Sequence, residues 1–427
     1  MTDASLPRSA RGKLLPAGIL ATALIALLAF APLASAASDP VGSGTTTVTL
    51  NGGWVNYLNT FGIKVQKEGS VKLKGKKATF KNVGGSVDPT TGKGEVQLGG
   101  GLKFKAGSKS AKVKGLVLNT SKKALFGKVN GKKVKFATIA YSQKRNGFGV
   151  NLTVKSMKLT NAAATQLNKK TGYESGNPKP FLKNKLIGKG ASEVQPATVT
   201  VLPGGLMSLA TDATTINKLK EVGVTIPVTA PTTEPSPGLY AFPITGGSLS
   251  PAGNAGTAQS SGGLQLLQKL PTNPEETTFI ETEITLGNVW ADLSAKTLTV
   301  EVVAKSTASK DLNLGNLGRS SIADITVGGL VADPATRTIS VNASAVLQPI
   351  SAEVLDGFVK VYAGYVEAGA YAQYCANPIA SPGACAEPAE QETAKAFAKT
   401  VAEEETKDKH IAAGAPLGTV SFTAQTQ

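Results

Sequence analysis

An internal repeat constrains this chain more than any other feature. Residues 78–104 align with residues 240–266 at a constant offset of 162, without a gap. Phe80, Gly84, Gly85, Ser86, Pro89, Gly94, Gln97, Gly100, Gly101 and Leu102 match Phe242, Gly246, Gly247, Ser248, Pro251, Gly256, Gln259, Gly262, Gly263 and Leu264. That is 10 identities in 27 positions, where a Gly-rich composition gives roughly two or three by chance. The period is too long for a solenoid. It implies two related domains, 42–203 and 204–427. Charge places the boundary near residue 200. Residues 41–200 carry 29 Lys and Arg against 5 Asp and Glu, a balance of +24, whereas residues 201–427 carry 13 against 22, a balance of −9. A step of this size at one point in a chain marks a change of domain.

Within both halves the hydrophobic pattern has period 2. Val71-Lys72-Leu73-Lys74, Leu102-Lys103-Phe104-Lys105 and Lys133-Val134-Lys135-Phe136 alternate apolar with basic residues. Leu298-Thr299-Val300-Glu301 and Thr338-Ile339-Ser340-Val341 do so with polar or acidic ones. Turn residues such as Asn130-Gly131 and Asp88-Pro89 separate these runs. The expected fold is all-β, two tandem antiparallel β-sandwich-like domains with a few short helices, although alternation alone does not separate a sandwich from a barrel. Helical patterns are expected at 212–222, 350–368 and 391–407, the last two forming a helical C-terminal insert in the second domain.

The first 36 residues read as a signal peptide. Arg8, Arg11 and Lys13 precede an apolar run from Leu14 to Leu33, and Ala34-Ser35-Ala36 offers a small-x-small cleavage site. Cleavage near Ala36 gives a secreted or cell-surface protein. No later stretch is long and apolar enough to span a bilayer. Export suits the two cysteines, Cys375 and Cys385, which are expected to close a small disulfide loop.

The chemistry within reach is narrow. A single His, at 410, cannot build a multi-His metal site, and two Cys cannot build a four-Cys zinc site. Gly127–Lys133 lacks the spacing of a phosphate loop, and no Gly-x-Ser-x-Gly elbow occurs. No catalytic set and no metal site is expected, so the reading is non-enzymatic. The clearest positive signal is lysine at alternate strand positions, which places ammonium groups on one face. Lys72, Lys74 and Lys76 would form one column, extended by Lys103 with Lys105, Lys112 with Lys114, and Lys133 with Lys135. Such a face attracts polyanions, so the expected partner is an anionic cell-wall polymer or lipid headgroups. Arg145 is the only Arg between 41 and 200, which argues against specific nucleic-acid readout.

The repeated block also resembles a known pattern. Tyr240-Ala241-Phe242-Pro243-Ile244-Thr245-Gly246-Gly247-Ser248-Leu249-Ser250-Pro251, followed by Gly262-Gly263-Leu264, looks like the core of the HtaA domain, the haem-transport-associated domain of actinobacterial exported proteins. Phe80 to Leu102 is a more degenerate copy. Tyr362-Ala363-Gly364 and Pro416 to Phe422 resemble the end of that domain. The resemblance implies exported β-rich modules, some of which bind haem or pass it to a haem-carrying protein. Haem-binding members carry a Trp-led segment with Ser-Phe and then a ligand Tyr, supported by a His. Here the pattern is met by Trp54 and Tyr57, without the Ser-Phe and without a His. The second copy places Leu206 where Trp54 would fall, on the alignment of Val199–Gly205 with Val48–Gly53.

Overall fold

A computed structural model describes residues 38–253, 255–272, 278–307, 315–376, 385 and 387–427. The expected signal peptide and its cleavage point at Ala36 lie outside the described residues.

The first half opens with β1 (Asp39–Leu50), α1 (Gly52–Thr60), β2 (Ile63–Glu68), β3 (Lys72–Lys74) and β4 (Lys77–Val87). It continues with β5 (Gly94–Ala106), β6 (Lys109–Asn119), β7 (Ala124–Val129), β8 (Lys132–Asn146) and β9 (Gly149–Leu159). It ends with α2 (Asn161–Thr171) and β10 (Leu186–Pro196). The second half opens with β11 (Val199–Thr200), β12 (Leu206–Thr211), α3 (Ala213–Glu221), β13 (Val224–Thr225), β14 (Val228–Thr229) and β15 (Thr233–Ser236). Next come β16 (Leu239–Leu249), β17 (Gly256–Ser260), β18 (Gly263–Pro271), β19 (Phe279–Asp292) and β20 (Thr297–Ser306). The chain closes with β21 (Gly315–Asp333), β22 (Thr338–Leu347), α4 (Pro349–Ala376), α5 (Pro388–Thr406) and β23 (Pro416–Gln425).

The fold is all-β in two tandem antiparallel units, as the alternation implies. Strand pairing resolves what alternation leaves open, because each sheet closes on itself. In the first unit the order runs β5-β6-β7-β8-β9-β10-β1-β4, and β4 pairs back to β5. In the second, β19-β20-β21-β22-β23-β12-β16 is closed by β17, which pairs with both β16 and β19. Inward residues fill each ring: on β9, Val150, Leu152 and Val154 are buried while Asn151, Thr153 and Lys155 between them are exposed. Each such buried aliphatic stabilises by about 1.5–3 kcal/mol. The changeover between sheets falls between Pro196 and Val199, a few residues ahead of the boundary set by the charge step. There Asp39 Oδ1 accepts hydrogen bonds from Thr200 N and Oγ1, both at 3.0 Å, and ties β1 to β11.

The two rings match strand for strand, and the offset is 161 on the first strand of each. Thr46 pairs with Phe80, and Met207 with Phe242. The helix after each strand is capped in the same way. Asn51 Oδ1 accepts from Trp54 N at 2.9 Å and Asp212 Oδ1 from Thr215 N at 3.0 Å. The helix expected at 212–222 is α3, and those expected at 350–368 and 391–407 are α4 and α5. Both α1 and α2 escape the pattern reading: α1 opens on Gly52-Gly53, which reads as a turn, and α2 is short and mostly polar. The segment between β9 and β10 holds only α2, whereas its counterpart between β22 and β23 carries α4 and α5.

The repeat follows from how the rings close. At the β4–β5 crossing, Gly85 has φ +108° and a Cβ there would lie 2.1 Å from Glu95 O. At the β16–β17 crossing, Gly247 has φ +125° and a Cβ would lie 2.0 Å from Thr257 O. Only glycine allows that conformation and that approach. Gly247→Ala is therefore expected to destabilise the second ring by about 3 kcal/mol. The measurement is the urea midpoint, which should fall, and a midpoint equal to that of the parent chain would contradict this closure.

Candidate functional site

Two features stand out: a basic outer face on the first ring and an apolar hollow in the second. On the first ring, pairing brings lysines from separate strands into rows. Lys64 faces Lys105, and Lys103 faces Lys112. Lys114 faces Lys128, which faces Lys133. The residues between them, Phe104, Val113, Val129 and Val134, are buried, so these ammonium groups point outwards. Like charges directly opposite one another are destabilising. One acid relieves them: Glu68 lies 2.8 Å from Lys114 Nζ and 3.6 Å from Lys112 Nζ. The hydrogen bond from Lys114 holds the Glu68 carboxyl below the ordinary glutamate range.

Not all of the nine expected lysines join this face. Lys72 and Lys74 sit on β3, which pairs with β4, where Lys74 faces Lys77. Lys76 lies in the turn after β3. Lys135 is exposed on the same face as Lys133, two residues along β8, but lies opposite Phe126, so no lysine faces it across the strands. The single column expected from alternation is thus a cluster of Lys103, Lys105, Lys112, Lys114 and Lys133, joined by Lys64 and Lys128, with β3 apart. Alternation gives the face of a residue, but pairing decides its neighbours.

Trp54 and Tyr57 both lie on α1, with different surroundings. Trp54 is 1 % exposed. Its ring meets Phe104 edge-on at 5.8 Å and Phe181 at 6.4 Å, and Phe104 meets Phe181 at 5.5 Å. Three rings therefore fill the space beneath α1, and the indole Nε1 is buried without a hydrogen-bond partner. Tyr57 is half-buried nearer the surface. Its hydroxyl donates to Lys179 O at 3.2 Å, and its ring lies edge-on to Phe61 at 5.2 Å beneath Lys185 Nζ.

The second ring packs the same space differently. The matched caps put Thr215, not Leu206, at the position of Trp54. Leu206 lies on β12, paired with Pro243. Phe104 pairs with Ala111, and its counterpart Leu266 pairs with Ile284. Thus Trp54 and Phe104 give way to Thr215 and Leu266, while Tyr240 and Ile284 stand where the first ring has Ala78 and Ala111. The exchange leaves a partly enclosed cavity of about 130 Å³ between the ring, α3 and α4. Leu209, Leu266, Val300 and Leu355 contribute to its wall. Pattern reading misses this hollow, because each lining residue is ordinary core.

The second half's aromatic and charged groups fix the helices over that cavity. Asp356 on α4 accepts from His410 Nδ1 at 2.7 Å and lies 3.2 Å from Lys360 Nζ. His410 is therefore tied to α4. Lys218 on α3 donates to His410 O at 2.9 Å. Tyr374 stacks on Phe397 at 5.3 Å, joining α4 to α5. Cys375 and Cys385 form a disulfide with a Cα separation of 5.5 Å. Among the described residues, no three His, Cys, Asp or Glu side chains cluster as a metal site would need. Among the same residues no helix is long and apolar enough to cross a membrane.

No family model matches the sequence, and no curated protein matches it. Among solved structures, the chain is similar to the C-terminal domain of HtaA from Corynebacterium glutamicum. Identity is 11 % over 54 % of this chain and 99 % of that one, with a TM-score of 0.31. It is also similar to the N-terminal domain of the same protein, at 13 % identity over 53 % and 98 %, again with a TM-score of 0.31.

The Asp356 contacts give a pH signature. Burial pushes this carboxyl up, but hydrogen bonds from His410, Lys360 and Ile411 N outweigh it, and its pKa lies below the ordinary aspartate value. A depressed folded pKa contributes stability that is present above the unfolded pKa and lost as pH falls through the folded one. Asp356→Asn should therefore lower the melting temperature at neutral pH. Its deficit should shrink as acid takes the parent chain through the folded Asp356 pKa, and a pH-independent deficit would contradict this assignment.

Proposed function

We propose that this chain is an exported, non-enzymatic binding module of the cell envelope, whose first ring docks on an anionic surface polymer. The observation that supports this reading is the lysine cluster of β5–β8. Its like charges face one another across strands with Glu68 as their acidic partner, so a bound polyanion relieves a repulsion already built into the sheet. A folded surface placed for solubility alone has no need to concentrate one sign in adjoining rows. Because charge attracts through the field and not through base or sugar edges, the face selects charge density over chemical identity.

The alternative comes from the haem-transport resemblance, in which Trp54 and Tyr57 would hold haem. Trp54 is committed to the aromatic cluster and the Tyr57 hydroxyl to Lys179 O, so the charged face is the better supported site. A haemin titration separates the two readings: a saturable Soret shift lost in Tyr57→Ala would favour the alternative.

The direct test uses the whole mature chain on immobilised inorganic polyphosphate, beside a variant with Lys103, Lys105, Lys112, Lys114 and Lys133 all changed to Gln. The Debye length falls from about 30 Å at about 0.01 M salt to about 3 Å at about 1 M. The parent chain should be held at the low salt and released before the high, and the variant should elute much earlier. Retention insensitive to salt, or equal in the two chains, would contradict the proposal. Phosphatidylglycerol vesicles serve as the comparison, and preferential binding to them would move the partner from polymer to lipid headgroup.

A further inference from the structure

We infer that the cavity in the second ring is a binding site for the hydrocarbon chain of a fatty acid or acyl ester. This does not rest on the lysine face, and failure of the polyphosphate test leaves it standing. The first ring shows what the scaffold does when that space is a core: Trp54, Phe104 and Phe181 pack it shut. The second ring has Thr215 and Leu266 at the first two positions, and the bonds of Leu159 with Asn184 and Lys185 recur at Leu347 with Gly414 and Ala415, which puts the smaller Ile411 at the third. The opposite exchanges at Tyr240 and Ile284 refill only part of it, and about 130 Å³ stays open. A cavity of about 150 Å³ lined by aliphatic side chains is enough to take up benzene. The volume therefore suits a short alkyl segment of about six carbons, the rest of a longer chain leaving through the open side.

The few polar groups of the wall point to the same ligand class. Ser321 Oγ is buried without a hydrogen-bond partner. Tyr240, 3 % exposed, lines the cavity with no hydrogen bond to its hydroxyl from any described residue. Burial pushes the Tyr240 phenol up to about 12, so it keeps its proton and donates. Buried donors that lack acceptors are costly and are satisfied by a ligand oxygen. An apolar wall with the unpartnered Ser321 hydroxyl and the Tyr240 phenol matches a chain that ends in one carbonyl or carboxyl group. Ile350 at the start of α4 lines the cavity while 44 % exposed, which places the mouth beside it.

The test is a titration of the full mature chain with cis-parinaric acid, a fluorescent fatty acid, followed by displacement with palmitic acid, monopalmitoylglycerol and phosphatidylglycerol vesicles. Stoichiometric binding is expected. Leu266→Phe, which restores the first ring's residue, should weaken it about tenfold or more while circular dichroism is unchanged and the melting temperature is equal or higher. Ile350→Glu alters only the mouth, folds irrespective of the core, and should weaken binding as well. Displacement by the free acid or by the esters supports the site and identifies the source of the chain. Absence of saturable binding to the parent chain, or binding unchanged in both variants, would overturn the inference. So would a cavity that takes up haemin and refuses the acyl probe.

Discussion

Ring closure depends on a backbone contact that leaves no room for a side chain. Where β4 crosses to β5, and β16 to β17, the carbonyl of the partner strand sits where a Cβ would be. An antiparallel sheet that fails to close exposes an edge and loses the enclosed core. These glycine positions therefore hold the two interiors together, though they bury almost nothing themselves. They also explain why the copies still resemble one another there. Core positions tolerate exchange of volume, whereas a backbone crossing without a Cβ tolerates one residue type.

Around that fixed closure the two rings have diverged in complementary ways. The first keeps a buried polar contact, in which Thr46 Oγ1 reaches Asn82 Oδ1 and Ser192 Oγ, both at 2.7 Å. At the matching places the second has Met207, Ile244 and Phe422, all buried apolar residues. The first is sealed inside by aromatics and charged outside. The second is hollow inside and roofed by α3 and α4, which Lys218, Asp356 and His410 tie to one another. One scaffold thus offers two kinds of recognition: a field on one outer surface and an apolar interior in the other unit.

Much of this was legible in the chain, for identifiable reasons. Alternation exposes strands because a half-buried sheet imposes period 2, and the glycine block exposes the duplication because closure imposes glycine. The helix from Asp212 was visible through its cap. Its partner from Asn51 was hidden by Gly52-Gly53, which reads as a turn. That same Gly-Gly pair, imitated by Gly204-Gly205, drew the match for Trp54 to Leu206 and away from Thr215. The true correspondence lies in the caps, which Asn and Asp fill equally well. Strand register was not legible, so Lys72, Lys74 and Lys76 looked continuous with lysines on strands they do not join. A hollow leaves no motif at all, since it consists of large residues that are missing.

The central claim is that two copies of one closed ring differ in being filled and unfilled at the same place. Xenon, which enters dry apolar cavities, tests this within a single molecule. In crystals of the chain under xenon pressure, density is predicted between Leu266 and α4 in the second ring, and none between Trp54 and Phe104 in the first. Xenon in both rings, or in neither, would contradict the account.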